Sequence, residues 1–347
     1  MRRSPILHPV SAVYGAAVRA RLSAYSRGLL SPSSLGVPTV SVGNITAGGT
    51  GKTPFVEWLC RKLAEQGRRV GVLTRGYQRD SPQKRVLVSD GVSLFADVGQ
   101  AGDEAFLLAK NLLGVAAIIS DSDRTAAGQW AVKELGLNAF VLDDGYQHLQ
   151  LTRDLNVLLV DATDPWGGKR LLPYGRLREP VSGVGRSDCV VITRADEPSA
   201  VQSLVNEIGD LNRGRPVLTS RMHVRAVLPL TENQIGAISP PNPIAAFCGV
   251  GNPTAFFAQL RRNGYNVVLT RSFPDHHRYH QRDIDAVAEA AMKHRARSFI
   301  TTAKDAVKLR QFAFRIPCYV LEIEVQIDQE LRFLELLRAV LTTTGTR

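Results

Sequence analysis

The stretch GNITAGGTGKTP, residues 43–54, carries the residue types of a phosphate-binding loop. In such a loop small residues let backbone N–H groups point at phosphate oxygens, while a lysine neutralises charge and a threonine hydroxyl binds Mg²⁺. The usual pattern has a glycine five positions before Gly51, where this chain has Thr46. A strand-like run precedes the loop and a helical pattern follows it, with Pro54 tolerated in the first turn. We therefore expect nucleoside triphosphate binding by Thr46, Ala47, Gly48, Gly49, Thr50, Gly51, Lys52 and Thr53.

Two adjacent acids, Asp143 and Asp144, follow the apolar run AFVL and precede Gly145. Carboxylates at the end of a buried strand beside a phosphate loop hold Mg²⁺, directly or through water. A turn whose acids cap the next segment is the alternative, and only the preceding phosphate loop favours the metal. The predicted metal ligands are Thr53, Asp143 and Asp144.

Other reactive side chains are spread along the chain. Asp103 opens a predicted helix, where an acid is often only an N-cap, and the residues alone favour that interpretation. The stretch SFPDHHRYH holds three of the seven histidines, which fits metal ligands, general bases or a surface loop. The loop LLPYGRLREP is suited to gripping phosphate, although a solvated basic loop is the alternative. Its charged residues are Arg170, Arg176, Arg178 and Glu179.

The elements that must position these residues alternate between strand and helix from residue 37 to residue 196. Continuous runs of Val, Ile and Leu between helices indicate a parallel sheet covered on both faces, whose ligands bind at the carboxyl ends of the strands. After a Pro-rich loop at 239–243 a second alternating unit follows. Residues 222–230 and 319–327 are predicted to pair as a connection between the two units.

The predicted fold is α/β, with a P-loop NTPase-like parallel sheet core and a second, smaller α/β lobe joined by a two-stranded linker. We divide the chain into an amphipathic membrane-associating helix (1–30), the P-loop core (31–222), the second lobe with its linker strands (223–327), and a C-terminal helix and tail (328–347).

Charge and composition restrict the partners. The formal net charge is +11, and five arginines precede the first acid, Glu57. The N-terminal helix has an apolar stripe beside these arginines, which fits either an anionic lipid surface or packing on the protein's own core. Aromatic residues make up 7% and no binding motif is present, so nucleic acid is not expected. Four scattered cysteines predict reduced thiols, and no run predicts a membrane span or signal peptide.

Taken in order, motifs across nearly the whole chain closely resemble those of the tetraacyldisaccharide 4'-kinase (lipid A 4'-kinase) family. They are GNITAGGTGKTP, LTRGY, GDE, DDGYQH, DPWGGKRLLPYGRLREP, CGVGNPTAFF, FPDHH and TTAKDAVKL. The resemblance implies transfer of the ATP γ-phosphate to the 4'-hydroxyl of a tetraacyldisaccharide 1-phosphate, with ATP and Mg²⁺ as cofactors. It also implies a peripheral enzyme on the cytoplasmic face of a Gram-negative inner membrane. Its partners would be an anionic glycolipid and the anionic membrane surface, with no protein partner evident.

The same resemblance assigns roles to residues. It implies that Asp103 pairs with His276 as the base, which overrules the N-cap interpretation, and His277 is the adjacent candidate. Lys52 and Arg178 complete the implied catalytic set. Motif positions with less defined roles are Tyr77, Glu104, Arg124, Gln147, His148 and Glu179. The chain departs from the family at Gln78, Ala105 and Arg176, which stand where glycine, proline and proline are usual.

The alternative is a membrane-associated P-loop ATPase or GTPase switch. Dimerising ATPases carry a signature lysine where this chain has Ala47. The segment VVITRAD resembles a guanine-reading element, but Arg194 replaces its lysine. Both substitutions favour the kinase.

Overall fold

Residues 7–231 and 240–343 are described by the computed structural model, and strands and helices alternate through both ranges. The strands are β1 (Thr39–Gly43), β2 (Val70–Thr74), β3 (Arg85–Ser89), β4 (Ala116–Asp121), β5 (Ala139–Asp143), β6 (Leu155–Asp161), β7 (Cys189–Thr193), β8 (Val217–Pro229), β9 (Ile244–Cys248), β10 (Val267–Ser272), β11 (Ser298–Thr302) and β12 (Cys318–Ile327). The helices are α1 (Leu7–Ser26), α2 (Lys52–Glu65), α3 (Val98–Ala101), α4 (Asp103–Asn111), α5 (Arg124–Leu135), α6 (Pro198–Leu211), α7 (Pro253–Arg262), α8 (Gln281–Lys293), α9 (Ala303–Leu309) and α10 (Glu330–Thr343). The outermost residues of the predicted terminal segments, and residue 239 of the Pro-rich loop, lie outside these ranges.

The twelve strands of the described ranges belong to one sheet, in the order β10-β9-β11-β12-β8-β7-β6-β1-β5-β2-β4-β3. Pairing is parallel except between β3 and β4 and between β8 and β12. Every residue of β1, β2, β5 and β7 is buried, because helices cover both faces of this part of the sheet. The predicted parallel α/β core is confirmed. The edge strand β3 and helices α3, α6 and α9 were not predicted.

The linker consists of the two longest strands. β8 runs antiparallel to β12, with Pro229 opposite Tyr319 and Ser220 opposite Ile327. This confirms the predicted pairing of residues 222–230 with residues 319–327. Because β8 also pairs with β7, and β12 also pairs with β11, the sheet continues unbroken into the second lobe, residues 240–317.

The C-terminal helix packs on the core. Phe333 of α10 is fully buried, with its ring centroid 5.6 Å from that of Phe55 and 5.2 Å from that of Trp58. Leu337 and Leu341 extend the same contact. The helix that carries the phosphate-loop lysine is therefore covered by the end of the chain.

The N-terminal helix α1 uses one face to pack on the protein. Tyr14 donates a 2.8 Å hydrogen bond to the carbonyl of Arg178, and Ser11 donates one of 2.9 Å to that of Leu171. The neighbouring side chains of Val10 and Val13 are 50% and 72% exposed. In the two described ranges, no helix has the length and apolar character needed to span a membrane.

Candidate active site

The phosphate loop connects β1 to α2, with left-handed backbone at Gly51, where φ is 80°. Thr46 does not need the freedom of the usual glycine because it forms a bridge with Leu177 in extended geometry. The flanking backbone bonds are short: Ala47 N donates to Arg176 O at 2.6 Å, and Arg178 N donates to Ile45 O at 2.7 Å. The departure from the usual pattern therefore ties the loop to the segment of residues 170–179, which we call the arginine loop.

Gly48, where φ is 121°, continues the turn. In the described chain, the backbone N–H groups of Gly48, Gly49, Thr50 and Gly51 donate no hydrogen bond to the protein. They stand ahead of the N-terminus of α2, whose dipole favours negative charge. This arrangement fits a phosphate group.

Asp144 is the centre of a group of charges at the carboxyl end of β5. Its Oδ2 accepts a 2.6 Å hydrogen bond from Arg178, and its Oδ1 lies 3.4 Å from Lys52 Nζ. Burial acts to raise the pKa of Asp144, but the charges of Lys52 and Arg178 outweigh it and hold that pKa well below its usual range. Arg124 donates a further hydrogen bond of 3.1 Å to the Asp144 carbonyl. Three predicted site residues, Lys52, Asp144 and Arg178, are thus brought together.

Asp143, the last residue of β5, has a different environment. Burial raises the pKa of its carboxyl group, and the negative charges of Glu104 and Asp144 add to that effect. Oδ1 of Asp144 is buried and accepts no hydrogen bond in the described chain. Two carboxylates side by side, Asp143 with a raised pKa and Asp144 with an oxygen atom that accepts no hydrogen bond but lies 3.4 Å from Lys52 Nζ, have the chemistry of a divalent-cation site. The residues present therefore fit Mg²⁺.

Asp103 and His276 meet across the two lobes. Nδ1 of His276 lies 2.8 Å from Oδ1 and 3.1 Å from Oδ2 of Asp103. Lys308 of α9 donates to Oδ2 at 3.1 Å. Burial acts to raise the pKa of Asp103, but the hydrogen bond from His276 and the charges of Lys304 and Lys308 lower it well below its usual range. Asp103 is the first residue of α4 and Gly102 is its N-cap, so the N-cap prediction is wrong.

The two adjacent histidines point to different partners. His276 has left-handed backbone, with φ of 60°, and its ring contacts that of Tyr77 edge to face at 5.0 Å. His277 instead stacks on Phe273 at 4.7 Å, and its Nε2 lies 3.2 Å from Asp283. The geometry brings His276 to Asp103 and takes His277 away from it. A strained backbone of this kind recurs at functional sites.

Lys304 is the nearest cation to the imidazole, and it was not predicted. Its Nζ lies 3.1 Å from Nε2 of His276 and 2.8 Å from Oε1 of Glu104. Lys304 and Lys308 are one helical turn apart on α9, so both reach the Asp103–His276 pair. The spacing of the two lysines in TTAKDAVKL indicates that they share one face of a helix, but only the fold shows that this face is turned towards Asp103 and His276.

A cavity of about 190 Å³ lies between the core and the second lobe. Its walls come from α2, from the linker strands and from the second lobe. Residues that line it include Thr53, Glu57, Arg225, Phe256, Lys304 and Ile323. The hydroxyl-bearing residue after Lys52 thus opens onto the space between the lobes.

The second lobe touches the phosphate loop directly. A Cβ on Gly251 would lie 2.4 Å from Gly49 N, so only glycine allows this approach. Asn252 donates a 3.1 Å hydrogen bond to Asp161 at the end of β6. Arg194 donates to the Gly49 carbonyl at 3.0 Å. The arginine of VVITRAD, which stands where a guanine-reading element has lysine, therefore contacts the phosphate loop.

The arginine loop divides its charges. Only Arg178 reaches the Asp144 carboxylate. Arg176 pairs with Asp164 at 2.5 Å and donates to the Ala47 carbonyl at 2.9 Å. Other side chains of the loop have contacts elsewhere: Arg170 over the ring of Tyr174, and Glu179 with Arg186 and Gln147. The charged side chains of the loop other than Arg178 therefore contact protein groups other than the Asp144 carboxylate.

A phosphate loop, a pair of acids at the end of the neighbouring strand and a carboxylate–imidazole pair across a cleft define a P-loop phosphotransferase. The family model described as tetraacyldisaccharide-1-P 4'-kinase (LpxK) matches residues 3–342. The chain belongs to this family. Its activity is that of a tetraacyldisaccharide 4'-kinase, a phosphotransferase of lipid A biosynthesis, which decides against the membrane-associated switch.

Individual members of this family are similar to the chain over most of its length. The chain is 41% identical to a tetraacyldisaccharide 4'-kinase of Geobacter sulfurreducens, over 91% of this chain and 87% of the relative. It is 37% identical to one of Halothermothrix orenii, over 93% and 88%. A crystal structure of LpxK from Aquifex aeolicus, described as an "apo" form in complex with ATP, matches with a TM-score of 0.75 and 31% identity, covering 96% of this chain and 98% of that one.

Proposed function

We propose that this chain transfers the γ-phosphoryl group of ATP to the 4'-hydroxyl of a tetraacyldisaccharide 1-phosphate, and that Asp103 and His276 form the base. The observation that carries this proposal is the 2.8 Å contact between them across the lobes. Oδ1 of Asp103 also accepts from Glu104 N at 2.9 Å, and its Oδ2 accepts from Lys308. The carboxylate is thus engaged on both oxygens. It orients the imidazole, and Nε2 of His276 is the atom that takes the proton.

The chemistry is that of general-base-assisted displacement. A sugar hydroxyl is a very weak acid, so its proton must leave as the new bond to phosphorus forms. The proton passes to Nε2, and a lone pair of the hydroxyl oxygen forms a bond to the γ-phosphorus. The bond from phosphorus to the β,γ-bridging oxygen breaks, and its electron pair leaves with ADP. Asp103 stabilises the imidazolium, which later returns its proton to water.

Lys52 and Arg178 supply positive charge to the transferring group. Both contact Asp144, so both are held at the end of β5 beside the phosphate loop. Fixed cations placed where charge develops are the dominant contribution to phosphoryl transfer. Thr53, Asp143 and Asp144 would hold Mg²⁺, which when bound neutralises charge on the phosphate oxygens.

We propose a peripheral location on the cytoplasmic face of the inner membrane. Five arginines precede the first acid, and Val10 and Val13 face outward on α1. Apolar and cationic groups on one helix attract an anionic lipid surface. In the proposed division of the chain, residues 1–30 meet the membrane, residues 31–222 bind the nucleotide and residues 223–327 supply His276. Residues 328–347 contain the helix that covers α2.

The test follows labelled phosphate. γ-Labelled ATP, Mg²⁺ and a tetraacyldisaccharide 1-phosphate are mixed with protein in detergent micelles, and lipids are separated by thin-layer chromatography. Wild type transfers label to the lipid, and Asp103→Ala does not. Label appearing only as free phosphate, with or without lipid, would overturn the proposal.

A further inference from the structure

Lys304 occupies the space beside the proposed base. Its ammonium lies 3.1 Å from Nε2 of His276, 2.8 Å from Glu104 and 3.1 Å from Asp275. Burial acts to lower the pKa of Lys304, but the charges of Glu104, Asp103 and Asp275 outweigh it and raise that pKa. The side chain is 15% exposed, so it is a charged donor largely shielded from water.

An ammonium group has only donors, so the nitrogen that faces it must offer a lone pair. In a neutral imidazole the single proton is then on Nδ1, where it is donated to Asp103 at 2.8 Å. The contacts of Lys304 and Asp103 therefore favour the same tautomer of His276. In this tautomer Nε2 is the atom that can accept a proton.

The same contact also blocks Nε2, because a lone pair engaged by an ammonium cannot receive the proton of a hydroxyl group. Lys304 lines the cavity that also contains Thr53. Phosphate oxygens bound beside Thr53 would compete with the imidazole for the ammonium, since a charged acceptor binds it more strongly than a neutral one. Lys304 thus contacts the proposed base and also lines the cavity that Thr53 lines.

We propose that Lys304 is the positioning residue of the base: it holds Nε2 of His276 unprotonated and is drawn to the nucleotide phosphates when they enter the cavity. This inference rests on the proposed role of His276. It links occupation of the phosphate site to release of the base. The lysine remains an ammonium throughout and transfers no proton itself.

The charged groups around the imidazole determine how the protonation of Nε2 should change when Lys304 is replaced. The groups that face it are Asp103 and Glu104 of α4, Asp275 of its own loop, Lys304 and Lys308 of α9, and the ring of Tyr77. Removing the Lys304 charge leaves carboxylates on several sides. In that variant Nε2 faces the carboxylates of Glu104 at 3.8 Å and Asp275 at 3.9 Å with no cation between them, so it should carry a proton.

The experiment is ¹H–¹⁵N spectroscopy of the histidine rings in the full-length protein, with the His276 signals assigned by their loss in His276→Gln. Near neutral pH, the wild type should show a proton on Nδ1 and none on Nε2. Lys304→Met should shift the Nε2 signal into the protonated range. Two control variants should keep the wild-type pattern. Lys304→Arg keeps a charged donor beside Nε2, and Lys308→Met removes the cation that contacts Asp103 but leaves the contact between Lys304 and Nε2.

Adding a non-hydrolysable ATP analogue with Mg²⁺ to wild type should break the hydrogen bond at Nε2, while the Lys304 charge stays in the same cavity and keeps that nitrogen unprotonated. The Nε2 signal should therefore move towards that of a nitrogen without a hydrogen-bond donor. A wild-type His276 with its proton on Nε2, or an Nε2 signal unchanged in both Lys304→Met and the analogue complex, would overturn the inference. The spectra require no turnover. Failure of lipid phosphorylation alone would therefore count against the proposed function and not against the role of Lys304.

Discussion

Arg178 donates a 2.6 Å hydrogen bond to Asp144, and this ion pair joins the arginine loop to the carboxyl end of β5. The backbone of Arg178 is held independently, since its N–H donates to Ile45 and its carbonyl accepts from Tyr14. Arg178 is thus held by one side-chain contact and two backbone contacts. Its side chain can be changed while the loop stays anchored.

Replacing this guanidinium should lower the rate of phosphoryl transfer and leave the fold intact. For Arg178→Met we expect kcat to fall by about 10² to 10³, the usual effect of removing one group that stabilises transition-state charge. Steady-state kinetics with lipid and ATP measure it. Arg215→Met is the matched control, because Arg215 pairs with Asp188 at 3.6 Å, away from the phosphate loop. Equal losses in both variants would remove Arg178 from the catalytic set.

The contact between Gly251 and the phosphate loop predicts a steric effect. In Gly251→Ala the new Cβ would lie 2.4 Å from Gly49 N, so the loop or the second lobe must move. A misplacement near 1 Å costs about 10² in rate, and we expect kcat/KM for ATP to fall by that order. Gly209→Ala in α6 is the control, because its Cβ meets nothing within 4 Å. Unchanged ATP kinetics in Gly251→Ala would mean that the lobes need not approach this closely.

His148 should make stability depend on pH. Burial, with the charges of Arg124, Arg153 and Arg21, lowers its pKa to about 4, and Asp123 only partly offsets them. An unfolded histidine titrates near pH 6.5, so the unfolded chain binds a proton at His148 more tightly than the folded chain does. The contribution of His148 to the free energy of unfolding is therefore fully present above about pH 6.5 and is lost as pH falls towards 4. Between pH 7.5 and 5 the loss from His148 should be about 1 kcal/mol, less than the full linkage value because the side chain is only partly buried and water screens its charge. Urea unfolding of His148→Gln should show a smaller loss, and an equal loss would contradict this account.

Local pattern predicted the core of the fold and much less of the site. The strand, glycine-rich turn and helix around Lys52 are consecutive in sequence, and so are the runs of apolar residues that form the parallel sheet. The Asp103–His276 contact joins residues 173 positions apart, and it was predicted only from the resemblance to a family. Spacing alone gave the wrong role to Asp103 because an acid that starts a helix has the same local signature whether it caps the helix or faces another lobe.

Lys304 and Lys308 were missed for a related reason. Lysines four residues apart on a helix are most often a solvated face, and nothing near them in sequence names their partners. Their partners Glu104 and Asp103 come from the other lobe, 200 and 205 positions away. The end of β11 at Thr302 and the docking of α9 on α4 place them there.

The most direct test of the central claim is a double-mutant cycle on kcat for lipid phosphorylation, with Asp103→Ala, His276→Ala and the double variant, all checked for folding by urea unfolding. If the carboxylate acts through the imidazole, each single change removes the same function, and the double variant should be no slower than the slower single variant. Losses that multiply in the double variant would mean that the two side chains act independently, and would contradict a single Asp103–His276 base.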